Sequence, residues 1–549
     1  MKRKKELIVI LSSLLVIVLS VSVAYFTTKI LGTGKDISVT SADLKVIFTS
    51  GSGTINGTNI EPGWTSGENT FTVKNESNGT YKYNIIIKDL VNTFKTSGFL
   101  VYKITSADGG YNMTDFEDVP KSKTSKDTIL AYNISIDKGA THTYTVEYKY
   151  LESTEVDQSA DMGKTLTGKI FITKGTERPT LANQLLNDNP VVSTRTDFST
   201  PFTTNTANTL YKATENATDV YYFAGQDTES TPINNWVKFG KYQSDKVVYR
   251  GYYSASDSDY KDYSTMDACT SATSYNINCT EHIYWNKGND IYWRIIRTNT
   301  DGSIRLLYHG TSTTATDAYI GTSEFNTNSE SPKYVGYMYG NTDATPEEAR
   351  TNANDSTIKA YIDNWYANNM TSYTKYLSTT AVYCNDRELA SGETYSKTED
   401  FTFKAYERLK TNKTPTYDCT NDNDKFTVDA STGNGKLTYP IALMTADEIA
   451  YAGGVAFENA PMWYYTNSSL ESSTGTTYWW SLSPVRLVGR DARSWLVFGS
   501  DSPGFLGNIT VYYSNVVRPV VSLKSCTLYS TGNGTSETPY EIVETSSGC

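Results

Sequence analysis

Few side chains in this 549-residue chain are suited to acid–base or metal chemistry at neutral pH. There are three histidines, and none of the six cysteines has the C-x-x-C spacing of a thiolate zinc site. No H-E-x-x-H run is present, so the helical zinc-protease pattern is missing. His142 lies among polar strand residues and reads as a solvated strand position. Carboxylates are plentiful, but local spacing holds no two of them as an acid–base pair. Glu448 stands three residues after Thr445, the spacing of a helix capping box, and that role outweighs a catalytic one. Asp257-Ser258-Asp259 and Asp422-Asn423-Asp424 offer oxygen ligands, yet neither completes a calcium loop. They read as solvated acidic loops, with calcium the lesser alternative. No catalytic residue, metal ligand set or cofactor is expected.

Val485–Val517 has a different chemistry. Arg486, Leu487, Arg490, Asp491, Arg493, Phe498, Asp501, Phe505, Tyr512 and Tyr513 mix guanidinium, carboxylate and aromatic groups in one short stretch. Arg and aromatic side chains combine broad contact area with polar edges, which suits recognition of a partner. The competing reading is a hairpin core with a charged outer face. Trp479, Trp480 and Trp495 are expected to support the segment by burying their rings, and Arg518 to be structural.

The rest of the chain must hold this segment and deliver it to its place of work. Met1–Lys5 is basic and Leu7–Phe26 almost wholly apolar, long enough for a bilayer-crossing helix. Residues 1–30 are therefore expected to be a membrane anchor or a cleaved signal peptide, with everything after Lys29 outside the cell. The cysteines agree with export. Cys269 and Cys279 enclose a short polar loop and are expected to pair, as are Cys384 and Cys419 across a longer one. Cys549 is either unpaired or bonded to Cys526. The net charge of −11 opposes binding to nucleic acid.

Composition and patterning indicate a multidomain, mainly β protein. The 43 tyrosines, with abundant Thr, Ser and Asn, suit antiparallel sheets and polar recognition surfaces. Period-two alternation over 37–174, as in Thr143–Tyr148 and Leu166–Phe171, predicts a β-sandwich. Residues 175–218 are polar and predict a linker, with a short apolar patch at Leu181–Leu186. A second module then runs over 219–545. It has a hairpin from Ile291–Ile296 to Ser303–Tyr308, a helix over Ser356–Asn369 capped by Asn354 or Asp355, and a helix over Thr445–Ala452 ended by Gly453-Gly454.

The leader ending Val23-Ala24-Tyr25-Phe26, the Pro62-Gly63 turn and the strand Phe71-Thr72-Val73-Lys74-Asn75 resemble the TasA/camelysin family of exported Gram-positive proteins. That family includes matrix-fibre subunits and proteins once described as surface proteases. The resemblance implies the sandwich and a surface role, and no activity.

In the second module, an ordered series of motifs resembles the C-type-lectin-like fold over roughly residues 220–542. They are Tyr292-Trp293-Arg294-Ile295-Ile296-Arg297, Gly336-Tyr337-Met338-Tyr339-Gly340, Ile358–Tyr366, Trp479–Pro484 and Val517-Arg518-Pro519-Val520. The resemblance is specifically to the bacterial branch related to formylglycine-generating enzyme, and implies an α+β ligand-binding module. The enzyme's copper chemistry needs cysteines that this chain lacks near its C-terminal strands, since Cys526 alone cannot supply two thiolates.

Some proteins of that branch are variable proteins of diversity-generating retroelements. Diversified Asn codons of the form AAC or AAT cannot become Lys, Glu, Gln, Met or Trp. Val485–Val517 contains no Lys, Glu, Gln or Met, and one Trp, Trp495. The sequence therefore points to a surface-displayed bacterial binding protein with a hypervariable face, and an extracellular protein or glycan as its ligand. The alternatives are a fibre or matrix subunit, or an enzyme on the formylglycine-generating-enzyme-like fold.

Overall fold

The computed structural model describes residues 37–41, 44–50, 60–204, 206–255 and 260–549, with side chains from residue 60 onward. The expected leader lies outside the described residues, as does Asp257-Ser258-Asp259. No helix among the described residues is long and apolar enough to cross a membrane. The chain is mainly β and divides into two compact units, one ending at Arg178 and the other spanning Pro179–Cys549.

In the first unit a seven-stranded sheet and a three-stranded sheet enclose one apolar core. Alternation creates that core. Strand Asn69–Asn75 buries Phe71 and Val73, and strand Thr141–Tyr150 buries Tyr144, Val146, Tyr148 and Tyr150. The same period places His142 on the inner face, only 5% exposed. Its Nδ1 lies 2.9 Å from the Tyr83 hydroxyl, which lies 2.5 Å from that of Tyr144. The expected solvated position is thus corrected. Polar neighbours in sequence hid a residue whose strand face is buried.

The second unit is built on a ten-stranded sheet and a six-stranded sheet that share a single core. Strand Asp290–Thr298 pairs antiparallel with Ile304–Gly310, which pairs with Pro519–Leu523. Helix Thr357–Asn369 buries Ile358, Ile362 and Trp365. Its cap is Ser356, whose hydroxyl accepts from the Lys359 N–H, rather than Asn354 or Asp355, which form a short strand against Met338–Tyr339.

The predicted linker is largely part of this unit. Helix Leu181–Asp188 buries Leu181 and Leu185 and is capped by Thr180. Strand Val191–Thr194 pairs in parallel with Thr209–Glu215, which pairs antiparallel with Thr218–Tyr222 at the edge of the large sheet. Arg195 anchors the segment by donating to the Tyr451 carbonyl at 2.6 Å while lying over Phe198 and Phe202. An edge strand with all four residues exposed carries no hydrophobic signal, so its composition is that of a linker.

Three disulfides close loops in the second unit: Cys269–Cys279, Cys384–Cys419 and Cys526–Cys549.

Candidate functional site

The six-stranded sheet carries the segment singled out by its composition. Strand Trp479–Val488 pairs antiparallel with Asp491–Val497, which pairs with Leu506–Thr510. On its other side, Trp479–Val488 meets Phe401–Thr402. In the same sheet the rings of Trp479, Trp480 and Trp495 are fully buried, with Trp495 on the face of Arg493 and the adjacent Trp479 and Trp480 on opposite faces. The Trp480 indole N–H donates to the Ser323 carbonyl at 2.9 Å. Trp495 stacks on Tyr406 with ring centroids 6.2 Å apart and touches Phe457 at 5.4 Å. Arg518 is also fully buried and donates to the carbonyls of Tyr308 and Tyr464 and to the Ser473 hydroxyl.

The two strands join through a two-residue turn. Val488 pairs directly with Asp491, and Gly489 and Arg490 both have positive φ, at 57° and 77°. That is the type I′ geometry, in which Asn and Gly are favoured and Arg is rare. Two anchors hold the tip. The Gly489 N–H donates to Asp400 at 2.7 Å, and Asp491 accepts from the Ser329 hydroxyl at 2.9 Å.

The expected contact residues separate into two groups and one exclusion. Arg486, Arg490, Asp491, Arg493, Tyr512 and Tyr513 gather at the turn end. Arg486 and Arg493 are directly paired across the ladder, and Arg493 is paired with Thr510, just before the two tyrosines. Tyr512 and Tyr513 are 42% and 45% exposed, with ring centroids 4.4 Å apart. The Tyr512 phenol is held up by its hydrogen bond with Tyr513 and feels the charges of Asp491 and Arg493.

Phe498, Asp501 and Phe505 lie at the far end of the Asp491–Val497 strand. The rings of Phe498 and Phe505 pack edge-on at 5.1 Å, half-buried, and Phe498 also packs on Tyr478 at 4.3 Å. Asp501 accepts from the Tyr478 hydroxyl at 2.5 Å. Five residues of strand, about 17 Å, separate this group from the arginines.

Leu487 is the exclusion. It is 1% exposed and belongs to the core, because strand alternation turns it inward between Arg486 and Val488.

Sequence reading missed Asn508 and Tyr406. Asn508 is directly paired with Trp495, and the Asn508 Oδ1 and Trp495 Nε1 are both buried without a hydrogen-bond partner. The Nε atoms of Arg486 and Arg493 are in the same state. Tyr406 lies under the Arg486 guanidinium at 5.9 Å. Period two from Trp495 could have indicated the face of Asn508's partner strand, but nothing local marks Tyr406, which arrives from a remote helix.

A second concentration of charge is internal. Glu215, Arg297, Arg305, Asp386, Arg408 and Glu448 line one small cavity. Glu448 accepts from Arg297 at 3.0 Å and Arg305 at 2.5 Å, and completes the capping box with Thr445. Burial pushes its pKa up, but Arg305 and then Arg297 outweigh it and hold the carboxyl below the usual glutamate range. Arg408 ties Asp386 to Asp447. Burial pushes the Asp386 pKa up against the pull of Arg408. The network joins the Thr209–Glu215, Asp290–Thr298 and Ile304–Gly310 strands to helix Ala446–Tyr451, and each carboxylate in it faces a guanidinium.

The acidic loop Asp422-Asn423-Asp424 is not free for calcium in the way its sequence allowed. Asp424 is buried and bonded to Arg387 at 2.6 Å, and Asp422 pairs with Lys425. No group of acidic, His or Cys side chains among the described residues has the arrangement of a metal site. In comparisons with known proteins, no family model and no curated protein matches the chain.

Proposed function

We propose that the chain is a surface-displayed bacterial binding protein, and that the turn end of the six-stranded sheet, Arg486 to Arg493 with Tyr512 and Tyr513, is its contact face. The observation that carries this reading is the state of the arginines there. Arg486, Arg490 and Arg493 have no hydrogen bond or ion pair among the described residues, yet they stand on a hairpin braced by buried Trp rings and two tip anchors. Rigid support beneath Arg side chains free of hydrogen bonds and ion pairs, beside two exposed Tyr rings, is what a recognition surface requires.

Retroelement-driven diversification is the proposed origin of this face. It accounts for the absence of Lys, Glu, Gln and Met from Val485–Val517, and for Arg490. A left-handed turn position that favours Asn holds an Arg, and AAC and AAT codons reach Arg when their adenines are randomised. The three disulfides support export, since such bonds persist in oxidising surroundings. The ligand is proposed to be an extracellular protein or glycan.

The test is a screen of the full exported chain against extracellular proteins and glycans, followed by R490A, Y512A and Y513A. These variants should weaken binding at least tenfold with unchanged thermal unfolding. Normal binding by all three would refute this contact face. A neighbouring reverse transcriptase, with a template copy differing at adenines in codons 485–517, is the expected genomic signature of diversification.

A further inference from the structure

The second unit contains twelve arginines, and nine of them are structural. Each of the nine donates hydrogen bonds to carboxylates, carbonyls or amide oxygens, as Arg294, Arg387 and Arg408 do. The remaining three, Arg486, Arg490 and Arg493, stand within eight residues of one hairpin. The chain as a whole is acidic, so carboxylates to pair with them are abundant. They are nonetheless left without a hydrogen-bond or ion-pair partner among the described residues, Arg486 having only the Tyr406 ring beside it. Two of them, Arg486 and Arg493, are directly opposite each other, an arrangement of like charges that destabilises a ladder.

We infer that the partner of this face is a protein that presents a pair of closely spaced carboxylates to Arg486 and Arg493. The inference rests on the binding reading above and adds the chemistry of the ligand. Spacing selects the source. Directly opposed residues of an antiparallel pair have Cβ atoms about 4.5–5.5 Å apart. Glu or Asp side chains at i and i+4 on a helix are about 5–6 Å apart, so two such carboxylates meet the two guanidinia one to one. Guanidinium and carboxylate match as forked pairs, and the bonds are stronger than neutral ones. A uronic-acid polysaccharide with one carboxylate per disaccharide spaces them a further sugar apart and leaves one arginine unmatched. Beside the pair, the exposed rings of Tyr512 and Tyr513 offer amphipathic area to protein side chains. Asp491 and Asp400 flank the turn and repel a partner shifted towards them, which fixes the register.

The experiment uses the full disulfide-bonded chain and four probes: a helical peptide with Glu pairs at i and i+4, the same peptide with Gln in their place, hyaluronate and heparin. The Glu peptide should bind at low ionic strength, weaken as salt rises, and bind at least tenfold more tightly than the Gln peptide and hyaluronate. The R486Q/R493Q double variant should lose at least tenfold in affinity for the Glu peptide without a fall in unfolding temperature. No binding of the Glu peptide, equal binding of the Gln peptide, tighter binding of hyaluronate or heparin, or an unaffected double variant would each overturn the inference. The two levels separate in the ligand screen. A neutral or basic partner whose binding falls in R490A, Y512A and Y513A defeats the acidic-pair inference and leaves the contact face standing. A partner whose binding ignores all five positions defeats the face itself.

Discussion

Arg486 and Arg493 are opposed across an antiparallel ladder with no carboxylate between them. Like charges in this arrangement destabilise a pair by roughly 0.2–1 kcal/mol. R493E turns the repulsion into a cross-strand ion pair. It should raise stability by about 0.5 kcal/mol in urea unfolding while weakening ligand binding. Added salt should raise the wild-type midpoint more than that of the variant, because screening relieves only the repulsive pair. A variant less stable than wild type would show that the two guanidinia do not repel.

The buried tryptophans and the contact face should respond differently to truncation. Trp480 is fully buried and hydrogen-bonded to the Ser323 carbonyl, so W480A should lose about 3–5 kcal/mol. R490A, Y512A and Y513A should stay within about 0.5 kcal/mol of wild type by chemical denaturation. A comparable loss in the exposed variants would mean that those side chains are structural.

Glu448 compensates two buried guanidinia. E448Q keeps the shape, removes the charge and leaves Arg297 with Glu215 alone and Arg305 with no carboxylate. A loss of about 3–5 kcal/mol is expected, measured by the midpoint and slope of urea unfolding. A near-neutral substitution would show that the network is hydrated enough to do without the charge.

Acid should weaken both units at a pH set by histidine. His142 is held below its ordinary pKa by burial, against Asp108 and Asp137. His309 is held well below it by burial, then Arg518 and Arg294. His282 is lowered by burial and then Arg250. The unfolded chain binds these protons near pH 6.5 and the folded chain does not. Stability is therefore fully present above about pH 6.5 and falls as pH drops below it. For His309 the slope should approach about 1.4 kcal/mol per pH unit. H309Q, if it folds, should flatten the pH dependence of second-unit unfolding between about pH 6.5 and 5. An unchanged slope would assign it to other groups.

The Cys384–Cys419 bridge spans 35 residues and lies beside the Glu448 network. Loop-closure entropy gives it about 4 kcal/mol of stabilisation. C384A/C419A should lower the unfolding free energy by about that amount, read in denaturant with the other two bridges intact. A loss below about 1 kcal/mol would mean that the reduced chain keeps the loop ordered through its own contacts.

The strand-rich class, the Cys269–Cys279 and Cys384–Cys419 pairings, and the Thr445–Glu448 capping box were legible in the sequence because each depends on near neighbours or on a short repeat. Alternation in Thr141–Tyr150 marks strand faces, but His142 shows that it does not say which polar residue is buried. That required the opposing sheet, with Tyr83 waiting behind it. Residues 191–194 looked like linker because an exposed edge strand buries nothing, and only pairing with Thr209–Glu215 makes it a strand. At the candidate face, the odd mixture of Arg and aromatic residues was visible in one dimension. Tertiary structure then turned Leu487 inward, put Phe498 and Phe505 at the far end, and set Arg486 against Arg493. It also brought Tyr406 beneath Arg486 from a remote helix. Residue type limits what a site can do, while register and long-range packing determine which side chains meet, and neither is encoded within a local window.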